Sequence, residues 1–241
     1  MKTAFRKASI PFFTFLIAAS LALASDPPWK GKPYPEWNDK DIQRVFSDSP
    51  WARKATITRT WAAVTQKELP NNPQLSGAGR GTPTPGSAND NAGNDLTFDI
   101  YWASSRVVRA ATARKAILHG GKNDLDVGKY ASQPQEEYQV VVQSEDMTPF
   151  VRHDEKSFQA GAFLEPKKSK QKIAASHVVY EHDEKGQVTA AVFFFPKKTA
   201  SGEPTIGTDE KSVEFNCKLE GPNLRVNFEP QKMVDNQGPA L

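Results

Sequence analysis

The sequence predicts an α+β, β-rich fold: an antiparallel sheet or sandwich of hairpins with one or two short helices packed on it. Three observations carry that expectation. Apolar and polar residues alternate through Val213, Phe215, Cys217 and Leu219, and again through Leu224, Val226 and Phe228 beyond the Gly221-Pro222-Asn223 turn. Successive side chains of a strand point to opposite faces, so this pattern marks a half-buried hairpin. A second pair of strand-like runs flanks His182-Asp183-Glu184-Lys185-Gly186, which has turn chemistry. Helical periodicity is confined to two short stretches in the first half, so consecutive hairpins dominate and their sheet is antiparallel.

Taken in order, residues 1–24 read as a secretory signal peptide. Lys2, Arg6 and Lys7 precede an apolar run from Ile10 to Leu23, and Ala22-Leu23-Ala24 offers a small-x-small cleavage pattern before Ser25. Residues 25–37 are rich in proline and aromatics and read as extended. A helix follows, with Asn38 as its cap, Asp41 three residues later and Ile42, Val45 and Phe46 on one face. Ser47-Asp48-Ser49-Pro50 ends it, because the residue before a proline avoids helical geometry. Thr56 to Val64 reads as a strand from its β-branched residues.

Residues 66–94 hold four prolines, with Leu69 and Leu75 as their large apolar side chains. Such a stretch buries too little apolar surface to offset its ordering entropy, and it reads as a flexible insertion in one exported domain spanning 25–241. Its Gly77-x-Gly79-x-Gly81 lacks the strand and helix that a phosphate-binding loop requires. Leu96 to Trp102 resumes as a strand able to pair with the one before the insertion. Ser104 or Ser105 caps a second helix to about Leu118, closed by His119-Gly120-Gly121. Strands then follow at 137–143, 160–164, 173–181 and 187–195, before the final hairpin.

Charge and cysteine content exclude several classes. Three of the 31 basic residues and none of the 28 acidic ones precede Ser25, so the processed chain carries 28 of each. A formally neutral chain is not a dedicated nucleic-acid binder. Cys217 is the single cysteine, so no internal disulfide forms, and its strand position makes it a packing residue. No apolar run after the leader approaches membrane-spanning length. The expected location is therefore secreted or periplasmic.

Three segments carry a resemblance. Asp48-Ser49-Pro50-Trp51-Ala52, Trp102-x-Ser104 ahead of a helix, and Phe228 with Lys232-Met233 near the end resemble a family of secreted, uncharacterised bacterial proteins with "DSPWA", "W-x-S" and "F-x-x-x-x-M" segments. The middle motif here lacks the family's proline. The resemblance implies one exported unit with a variable insertion, and it implies no activity.

Candidate sites are few. Arg106, Arg109, Arg114 and Lys115 sit on the second helix, and no acidic residue occurs between Asp99 and Asp124. They read either as an anion-binding face or as a solvated flank with Val107, Ala110, Ala111, Ile117 and Leu118 turned inward. Arg106 and Arg109 also oppose the helix dipole, so some other group must compensate them. His153-Asp154-Glu155-Lys156 recurs as His182-Asp183-Glu184-Lys185, offering metal-ligand types, though adjacent loop residues converge poorly and polar turns explain them better. His119 reads as a helix terminator and His177 as a structural strand histidine. Trp29, Tyr34, Trp37 and Trp51 read either as a stacking surface or as self-packing anchors.

Catalytic signatures such as G-x-S-x-G, H-E-x-x-H and C-x-x-C are missing from the sequence, and no catalytic residue, cofactor or metal is expected. The sequence favours an exported non-catalytic module binding a protein or cell-envelope partner, by sheet-edge pairing or an aromatic surface. The alternatives are a periplasmic hydrolase acting on glycans or esters, and a carrier of an apolar ligand or lipid with Phe163 and Phe193 to Phe195 lining its cavity.

Overall fold

The computed structural model describes residues 26–58, 95–219 and 222–241. The expected leader, residues 59–64 of the first expected strand, the expected insertion at 66–94 and part of the last turn lie outside them. The fold is α+β, with antiparallel sheets of five, four and two strands.

The chain opens with helical turns rather than an extended arm. A short helix α1 (Pro28–Gly31) and a 3-10 turn (Tyr34–Glu36) each carry a proline in the first turn. Proline's missing N–H and fixed φ suit that position, which is why a proline-rich stretch curls here. Helix α2 (Asp39–Ser47) starts on a reciprocal cap: Asn38 Oδ1 accepts from the Asp41 N–H, and Asp41 accepts from the Asn38 N–H. It stops where Ser49 Oγ donates to the Val45 carbonyl and accepts from the Trp51 N–H.

Strand β1 (Ala52–Thr58) begins earlier than its β-branched residues suggest and pairs antiparallel with β2 (Asp95–Trp102), as expected of the strands flanking the insertion. Helix α3 (Arg106–Gly120) follows. Ser105 is its cap, accepting from the Val108 N–H, and Gly121 ends it at φ 68°, the left-handed geometry glycine adopts freely. A short helix α4 (Val127–Ser132) packs against α3. Strand β3 (Glu137–Gln143) matches its expected bounds.

Two further short helices, α5 (Thr148–Val151) and α6 (Glu155–Gly161), were not legible as such. Consequently β4 (Ala162–Pro166) starts later than residue 160. The run 173–181 is not one strand. It divides into β5 (Ile173–Ala174), paired with β4, and β6 (His177–His182), paired with β7 (Val188–Pro196) in the other sheet. The hairpin of β8 (Val213–Lys218) and β9 (Asn223–Phe228) forms as expected. A small pair, β10 (Val234–Asp235) and β11 (Gly238–Pro239), closes the chain.

The larger sheets have the orders β1-β2-β3-β7-β6 and β5-β4-β8-β9. They share one core. The Phe193 and Phe215 ring centroids lie 5.3 Å apart, Phe195 and Phe215 6.2 Å, and Trp102 and Phe228 5.2 Å. Phe193, Phe195, Phe215 and Phe228 are fully buried. Burying such rings is worth about 2–3 kcal/mol each before entropy is counted. Among the described residues no helix is long and apolar enough to cross a membrane.

Candidate interaction surface

Ladder pairing aligns residues across the five-stranded sheet. One row on the face away from the shared core runs Ala52, Tyr101, Val141, Val192, Val179, from β1 through β6. Val141, Val192 and Ala190 form their own apolar cluster, with Tyr101, Ala103 and Phe194 packed on it. The row ends at Val179, which is 45 % exposed, on the edge strand β6. Flanking rows end on β6 at Glu181, across from Ala190, and at His177, across from Phe194.

An edge strand presents a line of backbone N–H and C=O groups to any incoming strand, and folds usually blunt such edges. Three of the four edges here are accounted for. β1 and β9 lie against each other: Arg53 Nε donates to the Asn227 carbonyl at 2.6 Å, and its guanidinium covers the Phe228 ring. β5 is two residues long. β6 is different. Among the described residues, nothing outside its own hairpin with β7 hydrogen-bonds the backbone of residues 177–182. Its inner side is nevertheless held, because Tyr180 Oη donates to the Phe150 and His153 carbonyls at 3.0 Å each. Burial raises the Tyr180 pKa far above that of a free phenol. The ladder shifts register between Glu181 and His182, so its regular span is His177 to Glu181.

The four basic residues of α3 do not form an open anion-binding face. Arg106 donates two bonds to Asp235, Nε and Nη2 at 2.8 Å each, and Tyr34 Oη donates to the same carboxylate. Burial alone would raise the Asp235 pKa, but the Arg106 fork and the Tyr34 hydroxyl hold it below the usual carboxylate value. Arg109 is 7 % exposed rather than solvated; it donates to the Gln133 and Tyr130 carbonyls and lies over the Tyr130 ring. Arg114 Nε donates to the Trp37 carbonyl at 3.1 Å. Lys115 is exposed, at a hollow of about 450 Å³ between α2, α3 and Tyr101. The compensation required by cations at a helix start is thus a carboxylate for Arg106 and peptide oxygens for Arg109.

The two His-Asp-Glu-Lys copies do separate local jobs. Asp154 caps α6 by accepting from the Ser157 N–H, whereas Asp183 closes the β6–β7 turn by accepting from the Lys185 and Gln187 N–H groups. Among the described residues no three metal-ligating side chains converge. His119 Nε2 meets Asp39 Oδ1 at 2.6 Å, linking the end of α3 to the start of α2. The N-terminal aromatics pack on themselves: Trp29 against Trp51 at 5.5 Å and Tyr34 against Trp37 at 5.0 Å, all four buried. They therefore present no stacking surface. Phe193 and Phe195 belong to the packed core, and Phe163 lies under the Lys172 ammonium. Cys217 is fully buried, and burial pushes its thiol pKa well up, which suits packing and not reactivity.

A serine, a histidine and a carboxylate do meet, at Ser176, His177 and Glu137. Ser176 Oγ donates directly to Glu137, His177 Nδ1 lies 3.3 Å from Ser176 Oγ, and the imidazole stacks flat on Phe194 at 4.1 Å and 11°. In a hydrolase the histidine takes the serine proton and the carboxylate orients the histidine. Here the serine hydroxyl is already committed to the carboxylate.

An open polar hollow of about 630 Å³ lies beside β2, lined by Asp95, Asp99, Glu145 and Asp146 among others. Lys54 Nζ is 2.9 Å from Asp99 within it.

The three segments of the family resemblance meet in space. The Trp102 N–H donates to the Trp51 carbonyl at 2.9 Å, Trp51 Nε1 donates to the Ala240 carbonyl at 2.7 Å, and Trp102 packs edge-on against Phe228. Met233 is fully buried nearby. Ser104 Oγ and Trp102 Nε1 are buried without a hydrogen-bond partner among the described residues. Compared with known proteins, the chain matches no family model, no curated protein and no solved structure.

Proposed function

We propose that this protein is an exported, non-catalytic β-rich module that binds a protein or cell-envelope partner by strand addition along β6. The observation that carries the reading is the open backbone of His177–Glu181, braced from inside by Tyr180 and ending an apolar row at Val179. In strand addition the main chain supplies affinity, and alternate side chains supply specificity. A braced strand loses little further freedom on binding, which lowers the cost of association. Export is supported by the leader, and its family resemblance points the same way.

A displayed library of short peptides tests it, selected on the wild type and counter-selected on Val179→Glu. Enriched sequences are expected to alternate apolar and polar residues, and to slow amide exchange at 177–181. Peptides that bind both proteins equally, or that leave those amides unprotected, defeat the reading.

A further inference from the structure

The sequence of β6 is complementary to itself, and we infer that the strand's partner is β6 of a second copy of this chain. The inference rests on the strand-addition reading and names the occupant of that edge.

The register follows from symmetry. When two β6 strands pair antiparallel about a two-fold axis normal to the sheet, opposed residues must share a face, so the axis passes through a residue. An axis through Val179 sets His177 opposite Glu181, Val178 opposite Tyr180, and Val179 opposite its own counterpart. It uses the whole regular span between the start of β6 and the register shift after Glu181. An axis through Tyr180 would instead set Val179 against Glu181, and one through Val178 would leave Glu181 outside the ladder.

Charge and apolar patterning agree with that choice. His177 is anchored through one side of its ring, with Nδ1 toward Ser176 and Glu137 (3.3 Å and 3.9 Å) and its face on Phe194. Nε2 makes no hydrogen bond to any described residue. Glu181 is exposed, and its carboxylate accepts no hydrogen bond from any described residue. Two His177–Glu181 couples would flank a central valine pair, the cross-strand arrangement that stabilises antiparallel ladders. The apolar row ending at Val179 would run on into Val192 and Val141 of the second copy.

Sedimentation velocity over a concentration series tests the pairing, with amide exchange locating it. The wild type is expected to form a concentration-dependent dimer with slowed exchange at 177–181. Val179→Glu is expected to raise the dimer dissociation constant at least about tenfold, because two like charges then meet at the axis. Glu181→Lys should weaken it as well, and the double variant His177→Asp with Glu181→Lys should restore it by reversing both couples. Thermal melts check that these exposed substitutions leave the fold intact.

A wild type that stays monomeric overturns self-pairing. So does a dimer indifferent to Val179→Glu and Glu181→Lys, because another surface must then hold it. If the wild type is monomeric yet selected peptides still require Val179, the strand-addition reading survives without this partner. If those peptides fail too, both fall.

Discussion

The α3 end of the molecule and the β6 edge use similar residue types to opposite ends. At α3 the arginines are satisfied internally, and of its four basic candidates only Lys115 is left exposed. Arg106 is forked onto Asp235, Arg109 caps two peptide carbonyls, and the chain's last residues are pinned by Trp51 and Arg106. At β6 the main chain is unpaired on one side among the described residues, and Glu181 and Val179 are exposed. The three arginines of α3 are therefore spent on architecture. The part with free bonding capacity is a strand of ordinary composition. Charge density alone misleads because a buried guanidinium must find acceptors, and finding them removes it from the surface.

The sharpest way to break this contrast is Arg106→Ala. It leaves the Asp235 carboxylate, whose side chain is wholly buried, without its cation. Removing one partner of a buried pair costs about 3–5 kcal/mol, so urea unfolding should show a loss of that order. A loss under about 1 kcal/mol would mean the α3 end is no clasp.

Acid titration addresses the same carboxylate. The native pKa of Asp235 lies below its unfolded value. Its stabilisation is thus complete above the ordinary aspartate range, about pH 4, and is lost as pH falls through the lower native value. Asp235→Asn should be less stable at neutral pH and should lose less on acidification. Parallel acid limbs for the two proteins would contradict this.

Two adjacent serines give a smaller effect of opposite sign. Ser105→Ala removes the α3 cap and should cost about 1 kcal/mol. Ser104→Ala deletes a buried hydroxyl without a described partner and should be neutral or stabilising by up to about 1 kcal/mol. Equal losses in calorimetry would show that Ser104 has a partner in solution.

The smallest changes in stability belong to the β6 edge. Val179→Thr and Glu181→Gln should shift unfolding of the isolated chain by no more than about 0.5 kcal/mol, as exposed positions do. A larger shift in dilute solution would show that the edge is a structural element after all.

Much of the fold was legible because its signals are local. Asn38 and Asp41 stand at capping distance, Gly121 follows a helical run, and Val213–Leu219 alternates with the period of a pleat. Short helices were missed where proline or an Asp cap acted over one turn, as at Pro28 and Asp154. The candidate site was barely legible. Nothing in residues 173–181 announces that the chain crosses from one sheet to the other at Ala175-Ser176, which is what makes His177–His182 an edge.

From the residues alone came the β-rich class, the positions of most strands, the caps of the two longer helices and the packing role of Cys217. All of these depend on neighbours a few positions apart. Strand order, the free side of β6 and the capture of Arg106 by Asp235, 129 residues away, depend on which distant segments are brought together. That pairing is settled by burial of a shared core, because no local preference distinguishes an edge strand from a central one.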